Sequence, residues 1–337
     1  MRRVRLPAAA VGVLLVLSPA APLAARQGSP ALWDHHVHIL SPALVRDWKS
    51  LGVPFTRPDS VYTSAAALLA PSVTGGEGLA GVVLVPMAHF YGNAELRGAL
   101  RLSPDEEAAR VRQENDFVAR EAARTPGRAL AFCSVNHRRP YAWDELRRCR
   151  RELLSPGIKL HLASAGTDLR DEDQLAELAR IAAWADAERI VLLLHFDPQA
   201  RGLEVTDVER FIARVLDPYP DLRVTIAHLG GSGGYGPWTR DVFRTFIAWL
   251  ENSPAPRPAV MFDLSAVILA RESEGVPATT VEEAAALAPD LRRAGLGRIL
   301  FGSDYPVFDP PAYAELLRER AGLSPEELRT ILSNRRP

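Results

Sequence analysis

The chain has 337 residues, with 40 Lys+Arg against 41 Asp+Glu and a formal charge of −1. Hydrophobic residues make up 47% of it and charged residues 24%. This balance excludes a disordered chain, a collagen, a coiled coil and a polytopic membrane protein, and it offers no basic field for nucleic acid or an anionic membrane.

Residues 1–25 read as a secretory signal. Arg2, Arg3 and Arg5 form the positive end, Ala8–Leu17 the apolar stretch, and a small-residue run ends at Leu23-Ala24-Ala25. The apolar stretch is too short to settle across a bilayer of about 30 Å, so cleavage is expected, with no membrane attachment afterwards. The mature chain is then secreted or periplasmic. Two cysteines cannot staple a chain of this length, so the core must rest on burial. Export permits a Cys133–Cys149 bond. Cys133 in a buried strand and Cys149 in an arginine-rich helix argue against one.

From residue 31 to 334 a single domain is expected. Short apolar runs lie at Leu32–Ile39, Gly81–Ala88, Ala129–Val135, Gly157–Leu162, Arg189–Phe196, Arg223–Leu229, Ala259–Ala266 and Arg298–Ser303. Near-continuous Val, Ile and Leu is how strands buried on both faces read. Between them lie helical patterns. Pro104–Arg124 follows Ser103 with Glu106 three residues on, a capping box. Asp171–Ala187, Thr206–Leu216, Thr239–Leu250, Val281–Ala294, Pro311–Ala321 and Ser324–Leu332 follow. Eight strand–helix units predict an α/β fold of (β/α)8 TIM-barrel type; a doubly wound open sheet is the rival. The long intervals after strands 1 and 2, roughly residues 41–80 and 90–102, hold Trp48, Phe55, Tyr62, Phe90 and Tyr91. They read as enlarged loops over the barrel mouth. Such apolar loops are also compatible with a homo-oligomer.

All eight histidines fall in or just beyond the first six strands: His35, His36, His38, His89, His137, His161, His195 and His228. The carboxyl ends of barrel strands converge on one mouth, where active sites sit. Side chains alternate along a strand, so Asp34, His36 and His38 face inward while His35 faces out. Imidazoles at i and i+2 stand about 6.5 Å apart and can reach one ion. His195 adds a third strand, and Asp304 follows the eighth, which neighbours the first. Three imidazoles and a carboxylate suit one divalent cation, Zn²⁺ first, with Mn²⁺ or Fe²⁺ sharing such ligands. Against this stands the bland reading, that a buried histidine simply bonds a loop carbonyl. His89, His137 and His161 are pocket candidates. The glycine-rich Gly230–Gly236 lacks the Lys-Ser/Thr ending of a phosphate loop and reads as a flexible loop.

Asp34–His38 (DHHVH), Gly157–His161 (GIKLH), Val191–His195 (VLLLH), Ala227–Gly231 (AHLGG), Asp263–Ser265 (DLS) and Phe301–Pro306 (FGSDYP) stand in this order. The set resembles the amidohydrolase superfamily over about residues 31–332. More narrowly, it looks like the amidohydrolase-related branch of metal-dependent TIM-barrel hydrolases and aminocarboxymuconate-semialdehyde decarboxylase-like lyases. The resemblance implies that His36, His38, His195 and Asp304 bind one metal, while His228 polarises the substrate or handles water. In binuclear relatives a fourth-strand lysine is carboxylated and bridges two ions. Lys159 stands at that place and reads as such a bridge, as a cation holding a substrate carboxylate, or as a partner of a pocket acid; the branch resembled is usually mononuclear, so one ion is expected.

The chemistry expected first is hydrolysis. A metal lowers the pKa of its water toward about 7, Asp304 moves the proton, and His228 stabilises the oxyanion. Asp34 would orient a ligand imidazole, and Lys159, His161, Asn136, His89 and Ser265 would read a small carbonyl substrate, an amide, lactone or ester. The alternative is non-oxidative decarboxylation of an unsaturated or aromatic acid on the same ligands. A non-catalytic metal-binding protein is the reading from another class.

Overall fold

Among the described residues nine strands carry the fold in chain order: β1 (Leu32–Val37), β2 (Leu79–Leu84), β3 (Ala129–Ala131), β4 (Cys133–Ser134), β5 (Gly157–His161), β6 (Val191–His195), β7 (Val224–Ile226), β8 (Val260–Asp263) and β9 (Ile299–Leu300). They belong to a computed structural model that describes residues 32–70, 79–196, 202–273 and 276–335. The expected export signal lies outside the described residues. Every pairing between these strands is parallel, in the orders β1-β2-β3 and β4-β5-β6-β7-β8-β9. The result is a mixed α/β fold in which helices follow most strands, as the alternating pattern predicts.

The third apolar run is one strand in the sequence and two in the structure. Phe132 separates β3 from β4. Its N–H still donates to Leu84 O of β2 (2.9 Å), while Cys133 already pairs with Ile158 of β5. At the other edge β1 bonds the chain just past β9. His35 N–H donates to Phe301 O (2.9 Å), Asp304 N–H to His36 O (2.9 Å) and His38 N–H to Tyr305 O (2.6 Å). Those bonds bring the first and last sheet segments together and set the position of the residue at 304.

The strands are buried on both faces, which explains their unbroken apolar runs. Along β6, Leu192 and Leu194 join the large cluster beneath the helices, whereas Val191 and Leu193 join a smaller one with Val83, Val85 and Phe132. Of the expected helices, Pro104–Ala123 carries its Ser103/Glu106 capping box, and Glu172–Ala187 and Val281–Ala294 follow their predicted spans. The Thr206–Leu216 pattern becomes an α-helix, Val205–Phe211, that loosens into a π-turn at Ile212–Leu216.

Two expectations are corrected. The intervals 41–80 and 90–102 are not simply loops: their described parts hold helices at Pro42–Ser50, Asp59–Thr63, Ala65–Leu68 and Ala94–Leu100. Ser41, Ser64 and Asn93 cap three of these through their side chains, a signal shorter than a periodicity reading detects. Trp48, Tyr62 and Tyr91 are buried there, with Phe55 and Phe90 packed against them. Cys133 and Cys149 do form a disulfide, with Cα atoms 6.2 Å apart. Both belong to one apolar cluster. The helix Ala142–Arg151 turns Cys149 and Leu146 inward onto β4 and leaves Arg147 and Arg151 outside.

The helix Pro104–Ala123 buries three glutamates at seven-residue spacing, on one face. Glu107 accepts from Arg139 Nε (2.7 Å) and Tyr141 Oη (2.6 Å). Glu114 accepts from Ser41 N–H with both oxygens (3.1 and 3.2 Å). Glu121 accepts from Ala65 N–H (3.1 Å). Each ties a different connecting segment to one helix.

Candidate metal centre

Five strands deliver side chains to one place. His36 leaves β1 and His38 stands one residue past it. Lys159 and His161 lie on β5, His195 ends β6, His228 follows β7, and Asp304 follows β9. Lys159 is 1% exposed and His36 fully buried. His228 and Asp304 both have left-handed backbones, φ 51° and 59°. Such strain costs on the order of 1 kcal/mol per residue and collects at functional sites. Gly302 lets the last segment approach: a Cβ there would meet His36 Cβ at 2.9 Å and Ser265 Cβ at 3.1 Å.

Hydrogen bonds fix which nitrogen each ring presents. His36 Nδ1–H donates to Asp263 Oδ2 (2.9 Å), so its Nε2 lone pair faces the cluster. His38 Nδ1–H donates to Val85 O (2.7 Å), leaving its Nε2 lone pair 3.1 Å from Asp304 Oδ1. His36 Nε2 is 3.7 Å from the same oxygen. Lone pairs facing a carboxylate at such distances need positive charge between them, a proton or a cation. Donor atoms of His36, His228 and Asp304 lie within 4.8 Å of one another. The donor set therefore fits a divalent cation.

His228 Nδ1–H donates to Ser265 O (2.7 Å). Its Nε2, 3.1 Å from His195 Nδ1, then accepts from that ring while neutral. His195 in turn stacks on His161, its partner in register on the neighbouring strand, with centroids 3.9 Å apart. His195 thus reaches the central group through His228.

The electrostatics agree. Burial, reinforced by the charge of Lys159, lowers His36 from 6.5 to about 3 against the pull of Asp263, so it stays a neutral donor. Burial alone would raise Asp304, but a proton held between it and His38 Nε2, together with the neighbouring imidazoles, keeps it well below the usual carboxylate range. Burial lowers Lys159 to about 8, with Asp263 and Asp304 working the other way. Its Nζ lies 3.4 Å from His36 Nε2.

The remaining expected residues fall in three groups. Ser265 stands behind the rings: its Oγ lies 3.1 Å from His36 Nδ1 and 2.9 Å from His228 Nδ1, and it donates to Asp263. Asn136 spends its amide locally, donating to Gly92 O and accepting from Arg138 N–H. His89 and His161 sit side by side, ring centroids 5.1 Å apart, and His137 instead meets Thr167. Asp34, expected to orient an imidazole, accepts backbone N–H from His36 and Ser303 (3.1 and 3.0 Å). Burial raises it to about 7. The carboxylate that orients the ring is Asp263, which also accepts N–H from His228 (3.0 Å) and Ser265 (3.1 Å). The sequence carries it within DLS, but its partner is 227 positions away.

A family model described as Amidohydrolase matches residues 82–334. Comparison with curated proteins finds no match. Among solved structures, the chain resembles 2,6-dihydroxybenzoate decarboxylase from Rhizobium at 15% identity, covering 90% of this chain and 96% of that one, with a TM-score of 0.58. It resembles a dihydroxybenzoic acid decarboxylase from Polaromonas with bound manganese at 17%, covering 90% and 94%, TM-score 0.57. An amidohydrolase from Burkholderia multivorans with bound zinc stands at 19%, covering 89% and 95%, TM-score 0.54. These likenesses concern the fold.

Proposed function

The chain belongs to the amidohydrolase family, whose model matches three quarters of it, and from that premise we propose that it is a metal-dependent lyase removing CO₂ from a small unsaturated or aromatic carboxylic acid. The observation that carries this reading is the buried Lys159 ammonium, 3.4 Å from His36 Nε2 inside the donor cluster. A carboxylate substrate finds a fixed counter-ion there; a neutral ester, lactone or amide does not need one. The decarboxylases of similar fold support the same choice. Hydrolysis, expected first from the sequence, becomes the second reading.

The two sheets are taken together as one barrel, with β3 and β4 as halves of a single strand and closure through the β1 contacts to Phe301 and Tyr305. One divalent ion, Zn²⁺ or Mn²⁺, would be held by His36, His38 and Asp304, with His228 and His195 adjoining. When bound it supplies Lewis-acid polarisation of a substrate oxygen. Lys159 Nζ holds the departing carboxylate in line. The C–C bond breaks, CO₂ leaves, and the electron pair stays on carbon. Asp304 carries the proton that carbon then takes, having received it from the substrate's hydroxyl or from water. Asp263 and Ser265 keep the rings of His36 and His228 turned to the site. Asp263 and Asp304 beside Lys159 favour its ammonium over a carboxylated form, so one ion per chain is expected. The Cys133–Cys149 bond supports a working place outside the reducing cytosol.

The test is a panel of aromatic and unsaturated acids beside lactones, esters and amides, offered to protein of measured metal content. Release of CO₂ with loss of one carbon supports the proposal. A new carboxylate at unchanged carbon count, or two ions per chain in bicarbonate, overturns it. No turnover of any compound leaves the metal-binding reading instead.

A further inference from the structure

His89, buried, and His161, half-buried, stand beside the metal cluster and have no part in holding the ion. Their hydrogen bonds show why. Ser134 Oγ accepts from His89 backbone N–H (3.1 Å) and lies 2.5 Å from His89 Nδ1. Ser134 is buried, and His89 Nδ1 is the acceptor within reach of its hydroxyl, so we assign that hydrogen to Nδ1, which leaves the ring's own proton on Nε2. Ser164 N–H donates to His161 Nδ1 (3.3 Å), which again places the ring proton on Nε2. A protonated Nε2 cannot ligate a cation; it can only donate. His89 is 1% exposed, yet its Nε2 has no partner among the described residues. A buried donor without an acceptor costs about 1–3 kcal/mol, which makes this atom unfinished without a ligand.

The surroundings specify that ligand. The two rings lie 5.1 Å apart, so their donors can serve one group. Lys159 shares the inward face of β5 with His161 and adds a cation to that side. Phe90 closes the edge, 4.4 Å from His89 and 5.7 Å from His161, with Trp48 behind it at 5.8 Å. Donors and a cation beside a flat aromatic wall fit an acceptor-only oxyanion on a planar body.

We propose that His89 and His161 form a second oxyanion subsite, so that the substrate is a planar acid bearing a second carboxylate besides the one at the metal. This rests on the proposed function, in which a carboxylic acid is bound beside the ion. The geometry gives the two acids different hosts: the metal cluster for one and two neutral imidazole donors for the other, with Lys159 beside both.

The experiment measures binding, not turnover. Benzoate and the three benzenedicarboxylates are titrated by calorimetry into Zn²⁺-loaded wild-type protein, His89→Phe, His89→Gln and His161→Phe. At least one dicarboxylate should bind wild-type about tenfold or more tightly than benzoate. His89→Phe and His161→Phe should erase that advantage, and His89→Gln, which keeps a donor and an acceptor for Ser134, should keep most of it. Equal affinity for benzoate and every dicarboxylate in wild-type overturns the proposal. So does an advantage unchanged in both His161→Phe and whichever His89 variant folds. Removing the metal separates the two claims: if every constant stays the same, the metal-held acid is wrong while the dicarboxylate ratio still reports on His89 and His161.

Discussion

Asp263→Asn tests the organisation of the centre at one atom. Asp263 Oδ1 accepts N–H from His228 and Ser265, and Oδ2 accepts from His36 Nδ1. An asparagine has one oxygen for these duties. Two backbone donors hold it, so the amide NH₂ turns toward His36 Nδ1. The ring must then accept there and move its proton to Nε2, the nitrogen meant for the cation. Replacing a partner that orients a metal-bound imidazole typically weakens metal binding 10–100-fold, about 1.4–2.7 kcal/mol. Loss of the buried negative charge acts in the same direction. The assay is a Zn²⁺ competition titration against a chelating dye, with thermal melts to confirm folding. Asp34→Asn is the control: that carboxyl is raised to about 7 by burial, and its partners are His36 N–H and Ser303 rather than any imidazole nitrogen. An Asp263→Asn affinity within about threefold of wild-type, or an equal loss in Asp34→Asn, would refute the tautomer argument.

Three further outcomes follow from the same structure. Glu114 is raised from 4.5 to about 7 by burial, against the Ser41 hydrogen bonds. The folded chain therefore holds an extra proton between those values, and stability falls as pH rises through that window, by about 3 kcal/mol in all. Glu114→Gln should melt higher than wild-type above pH 7 and gain nothing below pH 4.5; a shift independent of pH would contradict this. Replacing both Cys133 and Cys149 by alanine opens a loop of 16 positions and should cost about 3 kcal/mol, seen as a lower denaturation midpoint that a reducing agent reproduces in wild-type protein. Gly302→Ala pushes a methyl against His36 and Ser265, so metal affinity should drop more than the melting temperature does; an unchanged affinity would show that the segment can yield.

Features written in contiguous residues are legible in the sequence alone. The strand–helix alternation, the Ser103 cap and the convergence of His36, His38, His228 and Asp304 all come from local pattern plus the rule that strand ends meet. What the sequence hides depends on partners distant in the chain. Asp263 orients His36 across 227 positions, and nothing in DLS announces it. The break at Phe132 arises because one residue serves β2 while the next serves β5. The helices between residues 42 and 68 run four to nine residues, too short for a 3.6-residue repeat to register. The disulfide escapes a sequence reading because burial of Cys133 suggests isolation, when the same burial faces it toward Cys149.

The three glutamates on the helix Pro104–Ala123 have a bearing on how such a protein diversifies. Ser41, Ala65 and the Arg139/Tyr141 pair are moored to one rod, so the stretches between moorings can lengthen, shorten or change composition without unseating the strand ends. Altered selectivity in descendants would then arise by exchanging the spans, while the rod and its anchor points persist.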